Sequence, residues 1–200
     1  MGLQAVILDI DGTLVLSNDA HAQAWVEAFA EYGYEVPFEK VRPLIGMGGD
    51  KVIPMMVPEL NKYEADGKAV SDKRKELMIN RFIPTLSPTP GARELVLHIQ
   101  QAGLQTVVAS SATTEELTLL FKVAQVDDLL DAETMSLDAD ASKPEPDIVE
   151  AALNKLQMSP SQAVMMGDTP YDIEAAKKYG VGTLAVRCGG SDVNQLKDAI

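Results

Sequence analysis

The chain has 200 residues, of which 46% are hydrophobic, and a formal net charge of -13 at pH 7. Its length and apolar content predict one large domain, or one domain that carries an insertion. The acidic composition argues against nucleic acids and anionic membranes as partners, and no apolar stretch of the sequence is long enough to span a bilayer. Cys188 is the single cysteine, so no internal disulfide can form and we expect a cytoplasmic protein.

The first predicted element is a buried parallel strand at residues 5–8, where four apolar residues follow one another. The apolar run is interrupted at Asp9, and for that reason we expect no signal peptide. Asp11 and the pair Gly12-Thr13 follow at once. A buried strand that ends in two acids needs an explanation, because neighbouring carboxylates repel each other.

The next segment, residues 18–82, has its apolar residues at helical spacing throughout. The helices predicted in it cover residues 19–32, 38–45, 49–57 and 70–82. We interpret this segment as a helical cap inserted into a core domain of residues 1–17 and 83–200. Hinges are expected near Leu16-Ser17 and in the proline-rich stretch 84–90.

Strands and helices alternate in the remainder of the chain. The predicted strands cover residues 104–109, 163–166 and 182–186, with a weaker candidate at 133–137. The predicted helices cover residues 92–102, 114–124, 146–156 and 171–179. This alternation predicts an α/β fold in which a doubly wound parallel sheet, Rossmann-like in type, forms the core.

Polar side chains follow the predicted strands 5–8, 104–109 and 163–166 at the points where they end, and the segment SKPEP, which contains Lys143, precedes a predicted helix. Ligands of open parallel sheets bind outside these carboxyl ends, so we expect the side chains to converge at one edge. The candidates are Asp9, Asp11, Ser110, Ser111, Lys143, Asp168 and Asp172. Carboxylates crowded in this way cannot all stay ionised without a cation, and Mg²⁺ suits them because it binds carboxylates, water and phosphate oxygens.

This arrangement predicts phosphoryl-transfer chemistry. A lysine and a serine hydroxyl can hold phosphate oxygens beside the metal. One carboxylate of the first pair can attack phosphorus and form an aspartyl phosphate. The other, two residues on, can protonate the leaving oxygen and later activate water.

The segments DIDGT, ASS, SKPEPD and GDTPYD resemble, in order and approximate spacing, the four motifs of the haloacid dehalogenase superfamily. The chain is similar to its phosphatase branch with a helical cap, which includes phosphoglycolate phosphatase-like and beta-phosphoglucomutase-like proteins. The resemblance implies a Mg²⁺-dependent phosphatase of a small phosphorylated metabolite, acting through an aspartyl phosphate. We expect a monomer or a homodimer.

The resemblance also implies a role for each motif residue. Asp9 would be the nucleophile and Asp11 the general acid and base. Phosphate would be bound by Ser110, Ser111 and Lys143. Mg²⁺ would be held by Asp9, Asp168 and the backbone carbonyl of Asp11, with Asp172 as an outer or additional ligand.

The cap carries weaker signals. His21 and Trp25 share a helical face in DAHAQAW, which resembles the first cap helix of beta-phosphoglucomutase-like proteins, where the histidine approaches the active site. The alternative is a histidine packed in the cap core beside tryptophan. Arg42 and the segment GMGGDK, residues 46–51 with Lys51 at its end, are candidates for a substrate-specificity loop, or the glycines are simply a turn.

Two other functions compete with the phosphatase. A sugar-phosphate mutase would place an arginine at about Gly49, which has no charge, although Lys75 falls where mutases place a substrate-binding lysine. A phospho-acceptor signalling domain also uses a sheet-end aspartate, Mg²⁺ and a lysine. It has no use for Asp11 or for a large helical insertion, so we favour the phosphatase.

Overall fold

The computed structural model describes residues 2–130, 132–134 and 139–200. Its strands are β1 (Ala5–Leu8), β2 (Gln105–Ala109), β3 (Ala132–Thr134), β4 (Ala163–Gly167) and β5 (Gly182–Ala185). They form one parallel sheet in the order β3-β2-β1-β4-β5, which confirms the predicted α/β fold. The weaker candidate strand, 133–137, is observed as β3, and its residues 135–137 lie outside the described residues.

Helices fill the segment between β1 and β2 as predicted. They are α1 (Asn18–Glu31), α2 (Phe38–Val41), α3 (Gly49–Met56), α4 (Ala65–Leu77) and α5 (Ala92–Gln101). A single turn of 3-10 helix, Arg42–Leu44, follows α2, and a five-residue π-helical turn, Met78–Phe82, extends α4. The helix expected to start at residue 70 starts at Ala65. The prediction missed its first turn because that turn is mostly polar and gives no apolar periodicity.

The first four helices pack on one another around an apolar cluster that is separate from those of the sheet. The buried members of this cluster include Trp25, Phe29, Val41, Val52, Ile53 and Val70. A separate core supports the proposal that residues 18–82 form a cap on the remainder of the chain.

The sheet is covered on both faces. The helices that follow β2 are α6 (Thr114–Ala124), α7 (Asp147–Leu156) and α8 (Pro170–Lys178). Successive strand residues point to opposite faces, so Val6 and Leu8 contact the cluster that includes residues of α5 and α6, while Ala5 and Ile7 contact the cluster of α7 and α8. None of the described helices combines the length and apolar character needed to cross a membrane.

The sheet topology places the carboxyl end of β1 between two other strand ends. Leu8 pairs with Val108 on one side and with Met166 on the other. Residues that follow these three positions therefore meet at one edge of the sheet, where parallel sheets bind their ligands.

The two chain segments that join residues 18–82 to the sheet run side by side. Val15 and Pro88 form an antiparallel bridge. The backbone N–H of Leu16 donates to the carbonyl oxygen of Ser87 at 3.1 Å, and that of Thr89 donates to the carbonyl of Leu14 at 2.9 Å. The predicted hinge regions are therefore hydrogen-bonded to each other.

Candidate active site

Asp9 occupies the carboxyl end of β1 and is buried. Its backbone N–H donates to the carbonyl oxygen of Met166, which extends the sheet by one residue. The ammonium of Lys143, whose side chain is 1% exposed, donates to Oδ1 of Asp9 at 2.6 Å and to Oδ1 of Asp172 at 2.7 Å. Burial alone would lower the pKa of Lys143, but the two carboxylates outweigh burial and raise it.

Asp168 completes a group of three buried acids. One oxygen from each of Asp9, Asp168 and Asp172 lies within 4.8 Å of the others. Burial, together with the negative charge of Asp172, raises the pKa of Asp168 to about 7. Burial likewise raises the pKa of Asp9, against the opposing charge of Lys143. One ammonium thus faces three carboxylates, and this excess of negative charge on oxygen donors fits a hard divalent cation such as Mg²⁺.

Asp172 has a different environment from the other two acids. Its Oδ2 accepts hydrogen bonds from the Thr169 hydroxyl at 2.6 Å and from the Thr169 backbone N–H at 3.0 Å. The bond from the Thr169 backbone and the reciprocal bond from the Asp172 backbone N–H to the Thr169 hydroxyl oxygen, at 3.3 Å, form the capping box that begins α8. Because Lys143 binds the other oxygen, Asp172 is placed to position the lysine, which favours the outer of the two ligand roles considered for it.

The backbone of two glycines, Gly12 and Gly189, approaches the carboxylate of Asp168 closely. Its Oδ2 accepts from the side-chain amide of Asn18 at 2.7 Å. A Cβ atom at Gly189 would lie 1.6 Å from this oxygen, and one at Gly12, where φ is +78°, would lie 2.3 Å from it. Only glycine fits these close approaches, so the sequence is adapted to hold this carboxylate.

Asp11 lies beside α1. Its Oδ1 accepts a hydrogen bond from the Ser17 hydroxyl at 2.5 Å, and it lies 2.6 Å from Nε2 of His21. Burial would raise the pKa of Asp11, but the interactions with His21 and Ser17 lower it to about 2. In this arrangement Asp11 is ionised at neutral pH.

Arg74 is a site residue that the sequence interpretation missed. Its guanidinium contacts Nδ1 of His21, donates to the carboxylate of Glu116 at 2.5 Å and lies 5.5 Å from the ring centre of Trp25. Arg74 follows the buried Val70 by one helical turn on α4, and that spacing is the signal that predicts an inward-facing residue.

These side chains surround a cavity of about 230 Å³. The predicted site residues that line it are Asp9, Asp11, His21, Ser110, Ser111 and Lys143. Asp168 and Asp172 are both fully buried. The Ser110 hydroxyl oxygen accepts the backbone N–H of Ala112 at 3.1 Å, which leaves its own proton free for a ligand.

Within the described part of the chain, the lining of this cavity does not include Arg42 or Lys51. Arg42 lies at the turn after α2, where it donates to the Asp19 carboxylate and to the carbonyl oxygen of Gly189, each at 2.5 Å. Lys51 belongs to α3, which contributes its first residue, Gly49, to the cavity and packs Val52 and Ile53 into the cap cluster. Lys75 lines the cavity but pairs with Glu115.

Comparison with known proteins identifies relatives along nearly the whole chain. The haloacid dehalogenase-like hydrolase family matches residues 6–186. Pyrophosphatase PpaX of Halalkalibacterium halodurans is 25% identical and aligns over 93% of this chain and 84% of its own length. The phosphorylated carbohydrates phosphatase of Thermotoga maritima is 23% identical, over 90% of this chain and 82% of its own. A hydrolase from Pseudomonas syringae has the same fold, with a TM-score of 0.90, 24% identity and coverage of 98% and 90%.

Proposed function

Since the chain belongs to the haloacid dehalogenase-like hydrolases, we propose that it hydrolyses a small phosphorylated metabolite with Mg²⁺ as cofactor and an aspartyl phosphate as intermediate. The proposal is supported by the named relatives, one a pyrophosphatase and the other a phosphatase of phosphorylated carbohydrates. The observation that carries the proposal is the meeting of Asp9, Lys143 and two further buried acids beneath a cavity that Asp11 also lines. We further propose that the protein is cytoplasmic and that it is a monomer or a homodimer.

Asp9, Asp168 and the backbone carbonyl of Asp11 are the groups that would hold Mg²⁺. The ion would supply positive charge that offsets the repulsion between the carboxylates and a bound phosphate. Asn18 fixes the orientation of Asp168 through its hydrogen bond to Oδ2. Such supporting hydrogen bonds commonly determine metal affinity.

Asp9 is the proposed nucleophile because its carboxylate lines the cavity at the end of a rigid central strand. Lys143 uses two of its three ammonium protons on Asp9 and Asp172, so the third is free for a phosphate oxygen. The hydroxyls of Ser110 and Ser111 are further donors at the cavity wall. These donors stabilise the negative charge of the phosphoryl group during its transfer to Asp9.

Asp11 is the proposed acid and base. Its ionised form suits the second half of the reaction, in which it takes a proton from the water that attacks the phosphoaspartate. The first half needs the carboxyl form to protonate the leaving oxygen. A phosphate dianion bound beside Asp11 raises the pKa of this carboxyl from its low value, so substrate binding favours uptake of the required proton.

Hydrolysis of p-nitrophenyl phosphate tests the proposal. The parent protein should turn this ester over with Mg²⁺ and lose activity in EDTA. Asp9→Asn should abolish both turnover and acid-quenched labelling by ³²P-labelled substrate. Ser161→Ala, which lies just before the amino end of β4 and so at the edge of the sheet away from the site, should change neither. Labelling of Asp9→Asn equal to that of the parent would contradict the assignment.

Product analysis distinguishes hydrolysis from transfer by a mutase. A beta-sugar 1-phosphate, primed with a trace of the corresponding bisphosphate, should release inorganic phosphate. Faster accumulation of the isomeric sugar phosphate than of free phosphate would replace the phosphatase with the mutase.

A further inference from the structure

One positive charge in the wall of the cavity has no acidic partner among the residues that the structure describes. The lysine and arginine side chains that line the cavity are Lys62, Arg74, Lys75 and Lys143. The carboxylate partners of the last three are, in order, Glu116, Glu115, and the pair Asp9 and Asp172. Across residues 2–130, 132–134 and 139–200, no carboxylate lies within ion-pair distance of the Lys62 ammonium.

The packing of its aliphatic stem directs Lys62 along the cavity wall. A Cβ atom at Gly49 would lie 3.5 Å from Cδ of Lys62 and 2.9 Å from the Trp25 ring. The stem therefore passes beside the bare backbone of Gly49, in a space that a longer side chain at this position would fill. Trp25 lies one turn after His21 on α1, so this wall adjoins the one that carries Asp11.

The remaining contact of the ammonium is weak. Its Nζ lies 5.7 Å from the ring centre of Tyr63, close to the outer limit of cation–π attraction, and Tyr63 is 66% exposed. A hydrogen bond between an ammonium and an anion is roughly twice as strong as one between neutral groups. An anionic ligand group is therefore the partner that this lysine prefers.

We propose that Lys62 binds a second anionic group on the substrate, so that the substrate is a phosphate monoester whose leaving group carries a carboxylate or another phosphoryl group. The inference rests on the proposed function, because the phosphate to be cleaved must occupy the end of the cavity beside Asp9 and Lys143. Since the protein has a net charge of -13, a dianionic substrate is repelled at long range, and an uncompensated lysine at the cavity lowers that barrier.

Two matched series of phosphate monoesters test the inference. One series carries a terminal carboxylate, separated from the ester oxygen by one to four methylene groups. The other carries a terminal hydroxymethyl group at the same positions. The readout is the ratio of kcat/KM for the two esters of each pair, measured with the same protein in Mg²⁺, and a third series with a terminal phosphate identifies the preferred anion.

The parent protein should prefer the carboxylate ester about tenfold at one or more chain lengths, as expected for one charge-assisted hydrogen bond. Lys62→Met keeps an unbranched stem beside Trp25 and should bring the ratio close to one, while Lys62→Arg should retain most of the preference. Lys40→Met removes the same charge from an exposed site on α2 and should leave the ratio unchanged. Lys62→Gln serves the same purpose if the methionine variant does not fold.

The outcomes separate this inference from the proposed function. Turnover of the hydroxymethyl esters without preference for either anionic series overturns the role of Lys62 alone, as does a preference that survives Lys62→Met or Lys62→Gln. Absence of turnover for every ester in both series overturns the phosphatase and this inference with it.

Discussion

The guanidinium of Arg74 contacts Nδ1 of His21, and a guanidinium only donates hydrogen bonds. The imidazole nitrogen that it contacts must therefore accept, so the ring carries its proton on Nε2 and donates it to Asp11 at 2.6 Å. Arg74, a residue of α4, thus determines which hydrogen bond Asp11 receives.

Replacing Arg74 should separate a stability effect from a catalytic one. Arg74→Met leaves Glu116, 1% exposed, without its ionic partner, and loss of one member of a buried pair costs roughly 3 kcal/mol. The double variant Arg74→Met/Glu116→Gln should recover much of this stability in urea unfolding. Both variants should move the acidic limb of the pH–rate profile upward, because Arg74 contributes to the low pKa of Asp11. Equal stability of the single and double variants would contradict the buried-pair argument.

Asp11→Asn should slow phosphoryl transfer from phosphate esters by an amount that depends on the leaving group. An alkoxide needs a proton as it leaves, whereas p-nitrophenolate is stable without one. The rate of phosphoenzyme formation should therefore fall about 10²- to 10⁴-fold for an alkyl phosphate. The fall for the aryl ester should be much smaller. Rapid-quench measurement of the phosphoenzyme separates the two steps. Equal losses for both esters would remove Asp11 from the role of acid.

The metal-free protein should lose stability as the pH rises. The pKa of Asp168 is raised from 3.8 to about 7 in the folded protein, so between about pH 4 and about pH 7 the folded state binds a proton that the unfolded state has released. The free energy of unfolding in EDTA therefore falls as the pH rises across this window. The pKa of Asp9 is also raised, so its ionisation acts in the same direction.

Excess Mg²⁺ should reverse that trend, because the cation binds the ionised carboxylates and stabilises the folded state. The melting temperature measured with and without EDTA across the window checks both statements. Asp168→Asn removes the titrating group and should flatten the EDTA curve. A parent protein whose melting temperature in EDTA rises through this window, by more than that of Asp168→Asn, would refute the assignment.

Gly189→Ala should weaken metal binding although it replaces none of the carboxylates. Its new Cβ would lie 1.6 Å from Oδ2 of Asp168, so the carboxylate must move and lose its hydrogen bond from Asn18. Disturbance of such supporting contacts typically costs about 10- to 100-fold in metal affinity, measurable as the Mg²⁺ concentration for half-maximal activity. Gly2→Ala is the matched control, because its new methyl group would meet no atom of the described residues within 4 Å apart from its chain neighbours.

Local patterns predicted the core of the protein well. The apolar run of β1 is bounded by polar residues and matches the observed Ala5–Leu8 in full. The rule that ligands bind at the carboxyl ends of parallel strands predicts that Asp9 and Lys143 meet, and the two side chains are hydrogen-bonded. The first result follows from the periodicity of neighbouring residues. The second follows from the alternation of strand and helix patterns along the chain, which predicts a parallel sheet with its ligands at one edge.

The cap could not be predicted to the same depth. Arg74 and Lys75 are neighbours in KRK, and which of them faces His21 depends on the phase of α4, whose polar first turn conceals its start. Lys62 lies between α3 and α4, where no periodicity indicates its direction. Arg42 was expected at the substrate, but it contacts the carbonyl of Gly189, 147 positions away in the sequence, and only tertiary packing brings the two residues together.

The paired segments around Val15 and Pro88 restrict how residues 18–82, the proposed cap, can move relative to the sheet. Two hydrogen-bonded chains form a ribbon that bends readily across its plane and resists sliding of one chain along the other. Because this pairing ties the two chains together, we expect any opening of the cavity to be a swing about one axis, close to Ser17, in which both chains flex at the same level. In amide hydrogen exchange this motion would register as a single event, with the N–H groups of Leu16 and Thr89 losing protection together.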